Sequence, residues 1–253
     1  MYLCLSGRIV EASNPRPSLV EFVRLARDTG YQGVGLRQWQ ITPQTTAQEL
    51  RLLEAELAAT GLRVSSISTT PDAVKALVPV ARALGVKTFR VAGAPAALSR
   101  VAEDLDADMR IGPQMHTGSE FETVALAAQT LQQADDRRVG VIVEPSNHLM
   151  AGELFSRNLF APLAGRIIGC NLQSIEVGTG DSVLALRDGA KVTYRRVDPA
   201  QNRQIDFAAF FESLRAAGYD GYVDVIEPAA RDKSIEETAR GAAEYLRGVL
   251  PGS

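Results

Sequence analysis

The chain has 253 residues, 45% of them hydrophobic and 23% charged, with a net charge of −3 and a pI of about 5.6. That is ample material for a core, and the basic residues are scattered, never more than two in a row, which argues against nucleic acid and against anionic membrane surfaces as partners. Two cysteines, Cys4 and Cys170, make no disulfide framework, no apolar run approaches the ~20 residues that span a bilayer, and the first residues lack a signal-peptide pattern, so a cytoplasmic protein is expected.

Residues 1–6 read as a strand, followed by the turn-rich stretch 12–17. Ser18 with Glu21 forms a capping-box pair for a helix to Thr29, and Leu19, Phe22, Val23 and Ala26 keep helical spacing. A short strand at 33–37 follows Gly30. Thr46 with Glu49 opens a second helix, with Leu50, Leu53 and Leu57 as its inner stripe, and Gly61 ends it before a strand at 63–68. Thr70-Pro71 starts a third helix, in which Pro79 predicts a kink or a break. Residues 87–92 form a fourth strand, 95–104 a short helix and 109–115 a fifth strand. Ser119 with Glu122 predicts a capped helix to Ala134. The sixth strand is 139–144, a helical segment spans 152–163, and the seventh strand is 166–172.

Residues 173–205 are irregular except where 183–187 and 190–195 flank Asp188-Gly189, a two-residue hairpin signal. A β-hairpin insertion is therefore expected at about 180–196. Its apolar face needs a partner, either the mouth of a pocket or the same region of another subunit in a homo-oligomer. Residues 206–217 are a helix, 221–226 the eighth strand, and Ser234 with Glu237 caps the last helix. Eight strands alternating with helices, in a chain of this length and without an internal linker, predict an α/β fold of one domain, a (β/α)8 TIM barrel. An open doubly wound sheet would more often carry a glycine-rich phosphate loop after the first strand, and Ser6-Gly7-Arg8 is not one.

Two strands end alike, as Arg138-Val-Gly-Val-Ile-Val-Glu144-Pro145 and Tyr222-Val-Asp-Val-Ile-Glu227-Pro228. Proline cannot extend a central strand, so each glutamate is expected at a C-terminal lip, where barrels keep their chemistry, the two facing one another across one pocket. At the other strand ends stand Arg8, Arg37 with Trp39 beyond it, Arg90, Gln114 with His116, and Asn171 with Gln173; Asn147 and His148 follow Glu144. Period-2 alternation puts Gln114 and His116 on one face. Each histidine is either a pocket acid/base group or a loop residue bonded to backbone. Each glutamate either faces a ligand or pairs with an arginine such as Arg37 or Arg90. Arg8, Arg37 and Arg90 suit a phosphate or carboxylate, and Trp39 suits a lid or a surface for stacking a sugar ring.

The segments Gln114-Met-His116-Thr-Gly-Ser-Glu-Phe-Glu122, Val143-Glu144-Pro-Ser-Asn147, 168–173 and Gly218-Tyr-Asp-Gly-Tyr-Val-Asp-Val-Ile-Glu227-Pro228 resemble those of the xylose isomerase-like TIM barrels. The likeness covers nearly the whole chain. It implies a divalent cation such as Mg²⁺ or Mn²⁺, held by a Glu, an Asp, a His and a Glu from strands five to eight. It also implies that the two outer glutamates move a proton beside a carbonyl of a small sugar or hydroxy-keto acid. Mapped onto those four positions, the metal set becomes Gln114, Glu144, Asn171 and Glu227, with only Glu227 unchanged. Two charges and two amide oxygens make a weaker, harder set that favours Mg²⁺ or Ca²⁺ over Zn²⁺ or Mn²⁺. Gln114 cannot accept a proton, and His116 is its replacement. The resemblance thus implies a sugar phosphate isomerase/epimerase-like enzyme with Glu227, Glu144 and His116 as catalytic groups, and His148, Asn147, Arg37, Arg90, Arg8 and Trp39 around the substrate. A lyase on the same scaffold and a non-catalytic binding barrel that has lost its metal are the alternatives.

Overall fold

The computed structural model describes residues 1–230 and 232–250. The strands are β1 (Tyr2–Ser6), β2 (Gly33–Leu36), β3 (Arg63–Ser68), β4 (Thr88–Arg90), β5 (Arg110–Gly112), β6 (Val141–Val143), β7 (Ile167–Leu172), β8 (Ile175–Ala185), β9 (Lys191–Arg196) and β10 (Tyr222–Val225), and all but β8 and β9 are short, largely buried runs, with β2 and β6 buried on every residue. Such runs need cover on both faces, which is the environment of a parallel sheet under helices. Eight strands pair in parallel in the order β5-β4-β3-β2-β1-β10-β7-β6. Parallel bridges Ile111↔Val139 and Gln114↔Ile142 join the two outer strands, so the sheet closes as a (β/α)8 barrel of one domain. The closing strands approach tightly because a Cβ on Gly112 would collide with the Gly140 carbonyl.

Helices α1 (Leu19–Asp28), α2 (Ala47–Thr60), α3 (Val74–Ala83), α4 (Pro95–Ala102), α5 (Val124–Thr130), α6 (Pro145–Met150), α7 (Phe207–Ala216) and α8 (Ile235–Val249) cover the outside. Capping boxes at Ser18/Glu21, Thr46/Glu49 and Ser234/Glu237 form as their spacing predicts. Among the described residues no helix is long and apolar enough to cross a membrane.

Of the kink or break expected at Pro79 there is no break, since α3 continues through it. Three other local expectations are corrected. β5 ends at Gly112, because Pro113 has no N–H for the ladder. The N-cap of α5 is Thr123, whose hydroxyl accepts from Leu126 N–H; the Glu122 carboxylate instead takes Gly118 N–H at 2.6 Å and Arg187 N–H at 2.8 Å. Helix α6 begins directly after Glu144, whereas 152–163 holds only a 3-10 turn at Ala161–Leu163.

The hairpin β8–β9 is longer than expected, pairing from Ile175↔Arg196 to Ala185↔Lys191 with a register shift between Val177 and Ser182. Its turn is closed by Leu186 N–H donating to the Ala190 carbonyl at 2.8 Å. Leu184 and Leu186 are half-buried while Val183 and Ala185 face outward. Glu122 ties its far end, through Arg187, to the loop after β5.

Candidate active site at the barrel mouth

Asp224 enters the barrel from β10, and its carboxylate accepts hydrogen bonds from the hydroxyls of Ser65 and Ser66 on β3, the latter at 2.8 Å. Strands β10 and β3 are not neighbours in the sheet, so these bonds span the interior. Two consecutive serines reach one carboxylate because the β2–β3 register slips at Val34/Gly35, leaving one extra residue in β3. Gly35 makes room, since a Cβ there would lie 2.9 Å from Asp224 Oδ1. Burial raises the Asp224 carboxyl to about 6, against the opposing pull of the two serines and the Arg90 charge.

Glu144 is fully buried and serves as the N-cap of α6. Its Oε1 accepts from Ser146 N–H (3.1 Å), Ser146 Oγ (2.5 Å) and Gln173 N–H (3.2 Å), and its Oε2 from Asn147 N–H (3.0 Å) and Asn147 Nδ2. Burial raises its pKa, and those hydrogen bonds and His148 oppose the rise. Asn147 is a strut: its Oδ1 takes Thr117 N–H at 3.1 Å, joining the loop after β5 to α6.

Glu227 is also buried, but it accepts one hydrogen bond among the described residues, from Ser174 N–H to Oε1. Burial pushes its carboxyl up to about 8; Ser174 opposes that, the Glu144 charge adds to it, and Arg196 and Arg8 pull it back down. The two glutamates therefore share one electrostatic environment at the lip. A cleft of about 1290 Å³ starts at Glu227 and runs under the hairpin, lined also by Arg196, Asn202 and Lys233. A second hollow of about 490 Å³, lined by Leu57, Arg63 and Tyr222, lies at the opposite end, where the strands begin, far from these carboxylates.

Three arginines gather at the mouth. Burial lowers Arg90 to about 10, with Arg37 and Arg8 adding like-charge repulsion and Asp224 and Glu144 opposing. Burial also lowers Arg8, helped by Arg37 and Arg196. The Glu11 carboxylate is 3.5 Å from Arg37 Nη2 and 4.0 Å from Arg8 Nη1.

The four positions mapped as metal ligands do not present a free donor set. Asn171 Nδ2 donates to Gln114 Oε1 at 2.8 Å, so these two amides satisfy one another. Both Glu144 oxygens are occupied by protein donors. Among the described residues no three His, Cys, Asp or Glu side chains group so as to hold a metal ion. A divalent cation fits this arrangement poorly.

His116 is exposed, with Nδ1 2.9 Å from the Thr117 carbonyl oxygen. The alternation that paired it with Gln114 does not apply, because the strand has already ended. His148 is fully buried on α6, Nδ1 2.6 Å from Glu153 Oε2 and its ring edge-on to Phe160 at 5.1 Å. Phe160 in turn meets Phe210 of α7 edge-on at 5.8 Å, so the His148 ring is part of the packing around that phenylalanine. Trp39 is half-buried against the core beneath the Arg16 guanidinium, 4.8 Å away, which covers its ring face. Sequence reasoning missed Asp224, Ser65, Ser66 and Arg196. A charge in the middle of an apolar strand was a signal for Asp224; nothing local marked Arg196, which the hairpin delivers.

The pattern of the xylose isomerase-like TIM barrel family matches residues 23–249. No curated protein sequence matches the chain. Among solved structures, a xylose isomerase domain protein from Alicyclobacillus acidocaldarius superposes with a TM-score of 0.76 at 20% identity, covering 99% of this chain and 98% of that one. D-psicose 3-epimerase from Clostridium cellulolyticum H10, solved with D-tagatose, gives 0.76 at 12% identity over 99% of both chains. The probable 3-DHS dehydratase of petrobactin synthesis from Bacillus anthracis gives 0.75 at 13% identity, over 98% of this chain and 99% of that one. At these identities the likeness is one of fold.

Proposed function

The chain belongs to the xylose isomerase-like TIM barrel family, and on that premise we propose that it moves a proton beside the carbonyl of a small sugar or hydroxy-keto acid, with Glu227 carrying the proton. The observation that supports this reading is the contrast between the two lip carboxyls. Glu144 is saturated by five donors and acts as an anchor. Glu227, raised to about 8 and held among the described residues by a single N–H, borders the cleft. A carboxyl tuned near the working pH is the useful acid/base group.

With one such group the chemistry narrows. A single carboxyl can take a proton from one carbon and return it to the neighbouring carbon, or to a departing hydroxyl, on the same face. Inverting one carbon needs groups on both faces, and Gln114 and the capped Glu144 do not supply the second. Isomerisation or dehydration is therefore favoured over epimerisation. Arg90 stabilises the negative charge that develops on the carbonyl oxygen, the role that would otherwise fall to a cation.

The test is exchange of substrate C–H for deuterium in heavy water, followed by NMR over a panel of ketoses and hydroxy-keto acids. Exchange that depends on Glu227 and persists in chelator supports the reading. A ligand that binds without exchange would favour the second reading, a non-catalytic binding barrel, for which the capped Glu144 and the paired Gln114 and Asn171 also speak.

A further inference from the structure

We propose that Arg196, at the end of the hairpin, is a specificity-determining residue of this barrel: it holds a carboxylate of the substrate, so that the mouth takes a keto acid in preference to the neutral ketose of the same length. The inference deepens the preceding reading and rests on it for the place of the reacting carbonyl beside Glu227.

The hairpin puts Arg196 where a substrate at Glu227 would meet it. Arg196 ends β9 and pairs with Ile175 at the hairpin base. Ser174, the residue before Ile175, donates its N–H to Glu227, and its carbonyl accepts the N–H of Val197 at 3.2 Å. One residue thus joins the carboxyl to the peptide that follows Arg196, and main-chain hydrogen bonds fix the one relative to the other. Arg196 and Glu227 line the same cleft of about 1290 Å³.

The other cations on that cleft are engaged. Arg195 Nη2 is 2.6 Å from Glu176 Oε2, and Lys233 is paired with Asp198. Arg203 shares Glu176, whose carboxyl its charge helps to lower. Among the described residues the Arg196 side chain makes no hydrogen bond and no ion pair, although Asp181 and Asp232 also line the cleft. Glu227 does not neutralise it, because a carboxyl raised to about 8 keeps its proton at neutral pH. A guanidinium offers two parallel N–H donors to the two oxygens of a carboxylate, and one uncommitted cation matches one negative charge. Held by that end, a keto acid presents one fixed carbon to Glu227; a hydroxymethyl group in its place gives the fork no charge to hold.

The probes are aldonates from glycerate to gluconate, each matched with the alditol of the same length, from glycerol to sorbitol. They are titrated by calorimetry and thermal shift at pH 7 and constant ionic strength. Circular dichroism and melting without ligand establish that Arg196→Gln folds. The expected result is that at least one aldonate binds saturably, about ten-fold or more tighter than its alditol, and that Arg196→Gln removes the preference. Arg187→Gln, which takes the same charge from the hairpin away from the cleft, should keep it. Acids that bind no better than alditols, a preference that survives Arg196→Gln, or an equal loss in Arg187→Gln overturns the assignment. Deuterium exchange on a neutral ketose that needs Glu227 and ignores Arg196→Gln would sink the carboxylate inference and leave the proton-transfer reading standing. Arg196-dependent binding of the 2-keto acid matching the tightest aldonate, with no exchange of its C–H, would do the reverse.

Discussion

Glu227→Gln measures what it costs to hold a carboxyl in the barrel mouth. The amide keeps an oxygen for the Ser174 N–H and nearly the same volume, so the main change is loss of ionisation. In the native protein this carboxyl is raised from 4.5 to about 8, chiefly by burial. Between those values the unfolded chain gives up its proton and the folded one keeps it. The folded state then binds more protons, so stability falls as pH rises from about 4.5 to about 8 and stays at the lower level above that. A gap of about 3.5 pH units corresponds to about 5 kcal/mol, an upper figure because the group borders a solvent-filled cleft. Glutamine has no such slope, and the related slope from Asp224, raised to about 6, is common to both proteins and cancels in the difference. Urea titrations of the two proteins at pH 5, 7 and 9, at one ionic strength, give the answer. The variant should gain on the native protein by several kcal/mol between pH 5 and pH 9, while losing proton transfer. Parallel stability profiles across that range would refute the account of Glu227.

Asn147→Ala removes the amide that links Glu144 to Thr117 and leaves the buried Thr117 N–H without its acceptor; a loss of about 2–3 kcal/mol in urea unfolding is expected. A loss below about 0.5 kcal/mol would show that the strut is dispensable. Glu122→Ala frees the hairpin from the β5 loop, so trypsin should cut after Arg187 and Arg195 several-fold faster while barrel unfolding changes little; an unchanged digestion pattern would count against the tie. Prolonged dialysis against EDTA should leave the melting temperature within about 1 °C of the starting value, and millimolar Mg²⁺ or Mn²⁺ should not raise it. A rise of several degrees would mean that Gln114 and Asn171 part to receive a cation.

The barrel itself was legible because its signals are local. Ser18/Glu21, Thr46/Glu49 and Ser234/Glu237 are self-contained capping boxes, needing nothing beyond their own turn. Ser119/Glu122 has the same spacing and fails, because the Glu122 carboxylate takes one backbone donor from Gly118 in its own loop and another from Arg187 in the hairpin, 65 residues away. Glu144-Pro145 was read as the stop of a strand. It is also an N-cap followed by proline at the first helical position, and that second meaning accounts for both Glu144's saturation and the existence of α6. Residue type alone says nothing of a histidine's direction: α6 turns His148 to Glu153 and Phe160, and the loop after β5 leaves His116 exposed. Asp224 depends on a register slip between two other strands, which no sequence window contains.

The closure of the barrel has a consequence for its motion. Most neighbouring strands share a ladder, but β5 and β6 meet at two separate bridges, where Ile111, Met115, Gly140 and Ile142 donate the joining amide hydrogens. The ring therefore has a clasp, and these amides should lose protection before those of β1 or β10, at a free energy well below that of global unfolding. Gln114 stands on one side of the clasp and Glu144 on the other, with Asn171 reaching across to Gln114. An occupant of the mouth that binds the fastened ring more tightly will, by reciprocity, hold it fastened. Protection at four amides that touch no ligand would then report occupancy of the pocket above them.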